Sequence, residues 1–455
     1  MAVAISVVFA VAAFGAVGAP NAASAGEEDE VFTSTANPAE TITIVVGGDL
    51  GLGGSGQPVD PRGAYRHGRL IPFADMTRKL APLLDGDLNF ANLETVVTDD
   101  NRLPAFEKTF NFRSHSVGVR HLVDIGFNVF STANNHVIDY GTAGMVDTLR
   151  HLQQLERHGL KAAAGLGANR AEALTPKRIE VKSSVITLSA VGIGGRSPTE
   201  NSPGMPSYRD PRDFGDTLTE LARTASDYRI FSAHYGPELS IAPAPGDVFR
   251  LRDQAVRGIK ADLVLGHHAH VAAGVQVVDG RLIFYGLGNL LHPGMQNMAR
   301  FNACRDYGLL GKVHVGRGSD GRLRAIAVEV TALTDMHEAA RPLTGVEGRR
   351  RIAVLNGLAA GLDHDENARG LRFVAREDGS GYACLPAAAT ATGPVGAMCK
   401  DWERRKADIE PANTTCGPVQ RLSAPRPSAE PASARPRSPA RGSQQRDWRD
   451  EVFNR

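Results

Sequence analysis

The sequence predicts a layered α/β fold, and three observations support this prediction. Short apolar runs rich in β-branched residues alternate with stretches whose apolar residues recur at helical spacing. Polar clusters follow the ends of several apolar runs, as they do at the carboxyl edge of an open α/β sheet, where ligands bind. The chain has 455 residues, which is enough to bury two or three domains' worth of core.

The first strand is predicted at 41–46, because Thr41-Ile42-Thr43-Ile44-Val45-Val46 is β-branched and apolar throughout. Further strands are predicted at 88–93, 127–131, 185–191, 229–232 and 262–265, and helices at 73–84, 117–125 and 145–155. The runs 275–278 and 282–285 are joined by Asp279-Gly280, which is typical of a β-hairpin. Two last strands, 308–315 and 323–330, could complete the sheet.

The N-terminal 25 residues are predicted to be an export signal. They are small and apolar, Ala23-Ser24-Ala25 offers small residues for a signal peptidase, and the chain turns acidic directly afterwards. We therefore expect an exported protein, periplasmic or extracellular. A membrane anchor formed by an uncleaved segment is the alternative, because about 18 apolar residues could just span a bilayer.

The remaining sequence divides by composition into a linker at 26–40, a main domain at 41–335, a small region at 336–420 and a tail at 421–455. The tail is rich in Pro, Arg and Ser and is predicted to be disordered, because it cannot bury a core. Four cysteines, Cys304, Cys384, Cys399 and Cys416, favour one or two structural disulfides in an exported chain. The spacing leaves all pairings open.

The overall charge of the chain gives no reason to expect nucleic acid as a partner. Lys and Arg together number 51 and Asp and Glu 50, so nothing in the overall charge indicates nucleic acid, and none is expected as a partner. Any charged ligand must be held locally.

Five polar clusters each follow the end of a predicted strand. They are Asp49; Asn92 and Glu94; Asn134, Asn135 and His136; His234 and Glu238; and His268 with His270. His268 and His270 would face the same side if the extended backbone continued. Any one cluster has an ordinary structural explanation, but together they supply the carboxylates, amide and imidazoles that suit divalent metals. Such a set predicts hydrolysis at phosphorus or at an acyl group, with Glu94 bridging two cations and His136 as general acid or as a hydrogen-bond donor to the transition state.

The order of these motifs resembles the capsule-synthesis protein CapA family, which is associated with poly-γ-glutamate capsule and looks like a branch of the calcineurin-like metallophosphoesterases. The resemblance spans 41–330, about two thirds of the chain, and implies a four-layer α/β/β/α sandwich with the first and last motifs on neighbouring strands. The motifs are Gly47-Gly48-Asp49, Asn92-Leu93-Glu94, Ala133-Asn134-Asn135-His136 with Asp139 and Gly141, His234-Tyr235-Gly236-Pro237-Glu238, Gly266-His267-His268-Ala269-His270 and Gly286-Leu287-Gly288-Asn289.

The resemblance also implies residue roles. The metal ligands would be Asp49, Glu94, Asn135, His234, His268 and His270; the catalytic residues His136 and Glu238; and the substrate-binding residues Asn92, Asn134, Tyr235 and Asn289. The cofactor would be one or two divalent ions of Mn, Zn or Fe. One departure matters: metallophosphoesterases usually place a His two residues after the first Asp, and that position is Gly51 here.

Three functions remain open at this point. The first is a metal-dependent hydrolase or transferase acting on an anionic envelope polymer such as poly-γ-glutamate. The second is a non-catalytic accessory that binds the polymer alongside capsule-assembly proteins. The presence of Gly51 where metallophosphoesterases usually have a His favours this function. The third, a general phosphoesterase, rests on fold analogy alone.

Overall fold

The computed structural model describes residues 41–318, 320–409 and 416. In this part of the chain, most strands belong to two large sheets, and four short strands form two additional two-stranded sheets. The predicted export signal at 1–25, the linker at 26–40 and the tail at 421–455 lie outside the described residues. No helix in the described ranges is both long enough and apolar enough to cross a bilayer.

The strands are β1 (Ile42–Leu50), β2 (Gly63–Arg66), β3 (Arg69–Pro72), β4 (Leu88–Leu93), β5 (Val96–Val97), β6 (Arg113–Ser114), β7 (Val129–Ser131), β8 (Ala162–Ala164), β9 (Lys177–Val181), β10 (Ser184–Gly192), β11 (Tyr228–His234), β12 (Leu263–His267), β13 (Val275–Val278), β14 (Arg281–Phe284), β15 (Asn289–Leu291), β16 (Gly308–Arg317), β17 (Leu323–Thr334), β18 (Arg341–Pro342), β19 (Ala368–Gly370), β20 (Val374–Ala375) and β21 (Gly381–Cys384). The α-helices are α1 (Phe73–Thr77), α2 (Ser116–Asp124), α3 (Gly141–Glu156), α4 (Arg170–Leu174), α5 (Pro211–Arg223), α6 (Pro245–Val248), α7 (Gly345–Ala360), α8 (Gly393–Cys399) and α9 (Trp402–Arg405). A π-helical segment, Phe249–Gly258, continues α6, and short 3₁₀ turns occur at Ala81–Leu83, Met298–Arg300, Pro386–Thr390 and Lys406–Asp408.

The first large sheet has ten strands and is built around β1. Its order is β20-β21-β17-β16-β1-β4-β7-β8, with β15 also paired to β1 and β18 to β17. Strand β1 runs parallel to β4 and β15 and antiparallel to β16. All but one of its side chains are buried, as expected for a β-branched strand inside a sheet. Asp49 near its end lies beside both Asn92 of β4 and Asn289 of β15.

The second large sheet has seven strands in the order β19-β13-β14-β12-β11-β10-β9. Strands β10, β11, β12 and β14 are parallel, so their carboxyl ends lie at one edge. At that edge His234 of β11 is in register with His267 of β12. Strands β13 and β14 form the predicted hairpin, and both turn residues, Asp279 and Gly280, have the positive φ that such a two-residue turn requires.

Side chains of both sheets share one hydrophobic cluster. Ile44 and Phe90 from the first sheet pack there with Leu188, Ile230 and Leu265 from the second. Helices α1, α2 and α3 pack in a second cluster with the first sheet, while α5 and the π-helical segment pack in a third with the second sheet. The mixed α/β class is confirmed, and the order of the layers stays a prediction.

The helix predicted at 73–84 is wrong in length. Helix α1 ends at Thr77, and only a 3₁₀ turn follows at Ala81–Leu83. Pro82 lies in that 3₁₀ turn and has no backbone N–H, so it cannot make the α-helical hydrogen bond to the Arg78 carbonyl oxygen. The other two helices occur close to their predicted positions, as α2 and α3.

The described part of the region 336–420 contributes to both sheets. Strands β18, β20 and β21 join the first sheet, and β19 joins the second. Two disulfides form, Cys304–Cys416 with a Cα–Cα distance of 5.9 Å and Cys384–Cys399 with one of 5.8 Å. The expectation of structural disulfides is therefore confirmed, and the structure supplies the pairing that the spacing left open.

Candidate metal centre

The carboxyl ends of strands from both sheets meet at one buried site. Asp49 lies at the end of β1 and Glu94 directly after β4, while His234 ends β11. These three side chains are completely buried, and His268 and His270 after β12 are nearly so. The parallel strands place their ends together, as the alternation of strands and helices predicts.

His268 and His270 reach the site by a different backbone conformation from the one predicted. Strand β12 ends at His267, and both later histidines have positive φ, 85° and 56°, so the expectation of a continued extended backbone is wrong. Positive φ is strained for residues other than glycine and occurs often at functional sites. The backbone N–H of His268 donates to Asp49 Oδ2 at 3.2 Å, which helps to hold this turn. The two rings still lie 5.9 Å apart.

Glu94 lies at the centre of the cluster. Both of its carboxylate oxygens are buried, and neither has a hydrogen-bond partner among the described residues. Oε1 lies 3.3 Å from His234 Nε2, and Oε2 lies 3.9 Å from His270 Nδ1. Ligand atoms of Glu94, His268 and His270 all lie within 4.8 Å of one another, so these three residues could hold a metal ion.

The remaining predicted ligands join the same cluster. Asn135 Oδ1 lies 2.7 Å from His234 Nε2, and His270 Nδ1 lies 3.2 Å from Asp49 Oδ2. The ring of His268 lies 4.7 Å from that of His234. The structure thus brings all six sequence-predicted ligands together.

The electrostatics of the cluster fit a divalent cation. Burial, together with the charge of Asp49, raises the pKa of Glu94 well above its usual value. Burial alone would raise the pKa of Asp49 as well, but the neighbouring imidazoles of His267 and His270 outweigh it and lower that pKa. Buried carboxylate oxygens without partners are costly unless a positive charge or a proton satisfies them.

The imidazoles complete this donor set. Burial lowers the pKa of His268 to about 4 and that of His234 well below its usual value, so both rings are neutral near pH 7 and offer lone pairs. Only at His270 do Glu94 and Asp49 overcome burial and raise the pKa to about 10. Neutral imidazoles beside carboxylates are the donors that borderline divalent metals prefer, so His234 and His268 fit such an ion directly, and His270 would bind it after giving up its proton.

His136 is oriented by groups that the predicted site did not include. Its Nδ1 lies 2.7 Å from Asp139 Oδ2, and its Nε2 lies 3.9 Å from Glu94 Oε1. Asp139 is buried and paired with Lys108, and Lys108 Nζ also donates to the carbonyl oxygen of Asn135 at 2.8 Å. Burial raises the pKa of Asp139 to about 7 and lowers that of His136. Asp139 belongs to the same sequence motif as His136, although no role in the site is predicted for it from the sequence.

The four residues predicted to bind substrate are buried, and each contacts a protein group. Asn92 Nδ2 donates to Asp49 Oδ1 at 2.8 Å, and Asn289 Oδ1 lies 2.9 Å from His270 Nδ1, so both orient predicted ligands. Asn134 Nδ2 donates to the backbone carbonyl oxygen of Leu93, and the Tyr235 hydroxyl donates to the backbone carbonyl oxygen of Tyr285. Their role toward a substrate stays a prediction.

Glu238 lies in a different environment from the other predicted site residues. It is exposed, in the loop that follows β11. Its negative charge raises the pKa of Glu94, and at His268 it opposes the lowering of the pKa that burial causes. Glu238 is therefore a carboxylate close to the cluster that solvent and a bound molecule can reach.

Comparison with known families identifies the chain. The model of the family described as "Bacterial capsule synthesis protein PGA_cap" matches residues 43–293, more than half of the sequence. The chain belongs to this family. The matched range contains every predicted ligand of the candidate metal centre, from Asp49 to His270.

Several curated relatives match within the same region. The "PGA biosynthesis protein CapA" of Bacillus subtilis is 29% identical over 249 residues, covering 54% of this chain and 61% of that protein. A "Probable polyglutamine synthesis accessory protein" of Mycobacterium tuberculosis is 31% identical over 45% of this chain and 55% of its own length. The "Capsule biosynthesis protein CapA" of Bacillus anthracis is 24% identical over 55% of this chain and 60% of its own length. The chain thus spans a little more than half of each of these relatives.

Similar solved structures include a hypothetical protein from Thermus thermophilus, with a TM-score of 0.35 and 16% identity over 64% of this chain and 99% of that one. A purple acid phosphatase from yellow lupin seeds aligns with a TM-score of 0.31 and 11% identity over 67% of this chain and 54% of its own. TM-scores this low give no information about the geometry of the site.

Two further histidines in the PGA_cap region lie close to the cluster: His292, to which the sequence assigns no role, and His267, which the sequence allows either to support the ligands or to exchange roles with His268. His267 Nδ1 is 3.5 Å from Asp49 Oδ1, and His292 Nε2 is 4.0 Å from Glu94 Oε2. Both rings are buried, and none of their nitrogens has a hydrogen-bond partner in the described ranges. His292 follows the three-residue strand β15, which is too short to show a periodic pattern, but its position three residues after the motif residue Asn289 was a usable signal.

Proposed function

We propose that this chain is an exported, metal-dependent hydrolase or transferase that acts on an anionic envelope polymer such as poly-γ-glutamate. The observation that carries the proposal is Glu94, whose two buried oxygens lack partners in the described ranges and face nitrogen ligands on either side. The polymer class is taken from the printed names of the Bacillus relatives, which refer to PGA and to capsule biosynthesis.

The cofactor in this proposal is one or two divalent ions of Mn, Zn or Fe. The six predicted ligands would hold it, with Glu94 between the Asp49 and His270 side and the Asn135 and His234 side. When bound, such ions polarise a substrate oxygen and lower the pKa of a bound water.

The other residues have roles that follow from their contacts. His136 donates its Nδ1–H to Asp139, which keeps Nε2 facing the cluster, so that Nε2 is the atom that moves a proton to or from the substrate. Lys108 holds both the Asp139 carboxylate and the backbone of Asn135 in place. The exposed Glu238 would orient the substrate or accept a proton at the entrance.

A second candidate function is a non-catalytic accessory that binds the polymer, with capsule-assembly proteins as partners. Two observations favour it. The printed name of the Mycobacterium tuberculosis relative is that of an accessory protein, and Gly51 occupies the position where metallophosphoesterases usually have a metal-binding His.

Metal analysis combined with a polymer-cleavage assay tests the two functions. The full chain would be loaded with Mn²⁺, Zn²⁺ or Fe²⁺, and its metal content and its effect on the length of poly-γ-glutamate measured. We expect His268→Ala to lose both metal and turnover, whereas His136→Ala should keep the metal and lose turnover by about a hundredfold or more. Circular dichroism would verify that both variants fold.

Each remaining outcome selects between the functions. Polymer that is bound but unchanged in length, with His268→Ala binding it equally well, would establish the accessory role. A wild-type chain that takes up none of the three metals would refute the metal-dependent reaction altogether.

A further inference from the structure

We propose that His292 is a metal ligand of this centre, on the Asp49 side of Glu94, in place of the histidine that the chain lacks at residue 51. This inference rests on the proposed metal-dependent function and adds a residue to it. The spacing around Asp49 does not predict it.

The space beside Gly51 is filled by the His292 ring. A Cβ atom built on Gly51 would lie 3.1 Å from His292 Nε2 and 3.4 Å from its Cδ2. The two residues are held together by strand pairing, because the Gly51 N–H donates to the Leu291 carbonyl oxygen at 2.9 Å. An imidazole that follows β15 therefore lies directly against the position from which the usual histidine would project.

The His292 side chain is buried without the partners that a structural histidine normally has. It is 0% exposed, and neither ring nitrogen has a hydrogen-bond partner of good geometry in the part of the chain that the structure describes, while the backbone of Glu94 lies close to the ring. Its ring packs edge-on against Phe112, with centroids 4.6 Å apart, and its backbone N–H donates to the Met336 carbonyl. Burying two ring nitrogens unpaired costs free energy, which a metal bond to one of them would offset.

The two carboxylate oxygens of Glu94 face different histidines, and His292 lies beside Oε2. Oε1 faces His234, which also contacts Asn135. Oε2 faces His270 and His292, at 3.9 and 4.0 Å. Ligand atoms of His268 and His270 lie within 4.8 Å of Glu94, so His292 would add one more imidazole to this side of the cluster.

His267 is a poorer candidate for the same position. Its Nδ1 approaches Asp49 Oδ1, the oxygen that already accepts from Asn92, rather than Oδ2, which faces His270. Its ring lies 5.7 Å from that of Phe90, a residue of the cluster shared by the two sheets. His267 therefore approaches Asp49 on the side that also contacts Asn92, whereas His292 faces the carboxylate of Glu94.

Relocating the imidazole tests the assignment. Mn²⁺ binding to the full chain would be measured by titration and by elemental analysis for the wild type, His292→Ala, His292→Phe and the double variant Gly51→His/His292→Ala. We expect both single variants to lose one equivalent of Mn²⁺ or to bind it at least about tenfold more weakly. The double variant should recover binding, because its new imidazole projects into the space that the ring vacates.

The controls separate ligand loss from misfolding. His292→Phe keeps the ring volume against Phe112 while it removes both nitrogens, and His151→Ala removes another buried imidazole, on α3. His151→Ala should bind Mn²⁺ as the wild type does. If both His292 variants bind as many equivalents of Mn²⁺ as the wild type, with the same affinity, the inference is wrong and the proposed function is unaffected. A wild type that binds no divalent metal would instead refute the proposed function itself.

Discussion

Asp139 and Lys108 show how much of this site depends on residues that carry no metal. Asp139 is completely buried, and it contacts His136, Lys108 and the backbone N–H of Phe112. Such a carboxylate fixes both the orientation and the tautomer of the histidine. Replacing it would change the position of a reacting group without touching a ligand.

A second carboxylate, the half-buried Glu329 on β17, gives a prediction for how stability depends on pH. Burial alone would raise its pKa, but hydrogen bonds from His314 and Arg376 outweigh burial and lower the pKa to about 2. A lowered folded-state pKa stabilises the protein above the unfolded-state pKa, near 4.3, and this contribution is lost as the pH falls toward 2.

We therefore expect Glu329→Gln to lower the free energy of unfolding by about 1–2 kcal/mol at pH 6 and by much less at pH 2.5. Denaturant unfolding at both pH values measures the difference. Glu156→Gln, an exposed change at the end of α3, is the control and should show no such pH dependence. An equal loss of stability for Glu329→Gln at both pH values would contradict the assignment.

Among the elements, the pairing of β1 with β15 is the one that positions the site. It places Asp49 beside Asn289, and it brings the backbones so close that a Cβ on Gly48 would lie 1.8 Å from the Gly288 carbonyl oxygen. A main-chain atom cannot move aside as a flexible side chain can. The glycine is therefore required for the strand pairing itself.

Gly48→Ala should lower the free energy of unfolding by more than about 3 kcal/mol or prevent folding, because the two strands must separate. Gly215→Ala on α5 is the matched control: a Cβ there meets nothing within 4 Å, so it should raise the free energy by about 0.5–1 kcal/mol. Thermal unfolding of the two variants gives the comparison. A Gly48→Ala protein as stable as the wild type would show that the strands tolerate separation.

Elements with a strong local pattern could be predicted from the sequence, and the others could not. Strands β1 and β10 occur where apolar, β-branched runs predict them, because these residue types favour an extended backbone wherever the run lies in the chain. Helix α1 is shorter than predicted, since one proline outweighs the apolar spacing. Strand β15 has three residues and exists through its pairing with β1, so no local pattern could reveal it.

The same distinction holds for the site. The six predicted ligands follow strands that the sequence shows, and the structure brings them together. His292 and Lys108 come from a short strand's end and a loop, and their proximity to the cluster depends on tertiary packing. The positive φ values of His268 and His270 likewise depend on contacts with Asp49, which the spacing of residues in the sequence does not reveal.

At the scale of the whole molecule, the two disulfides differ in the length of chain they close. Cys384–Cys399 spans 15 residues and Cys304–Cys416 spans 112. Cross-links that close longer loops remove more entropy from the unfolded chain. The longer one joins the main domain to a cysteine near the C-terminal end of the described residues.

Removing the disulfides one at a time should rank them by loop length. We expect Cys384→Ala/Cys399→Ala to lower the free energy of unfolding by about 3 kcal/mol and Cys304→Ala/Cys416→Ala by about 5 kcal/mol. Denaturant unfolding without reductant measures both, and each double variant serves as the control for the other. The reverse order would mean that the loops do not govern their contribution.

The two sheets contribute separately to the candidate centre. Asp49, Glu94 and Asn135 follow strands of the first sheet, whereas His234, His268 and His270 follow strands of the second. An ion bound by both sets would act as a crosslink between the sheets, because it can be held only while they are docked. Availability of the metal in the compartment where the chain folds would then set how firmly the two halves of the molecule stay together, before any substrate arrives.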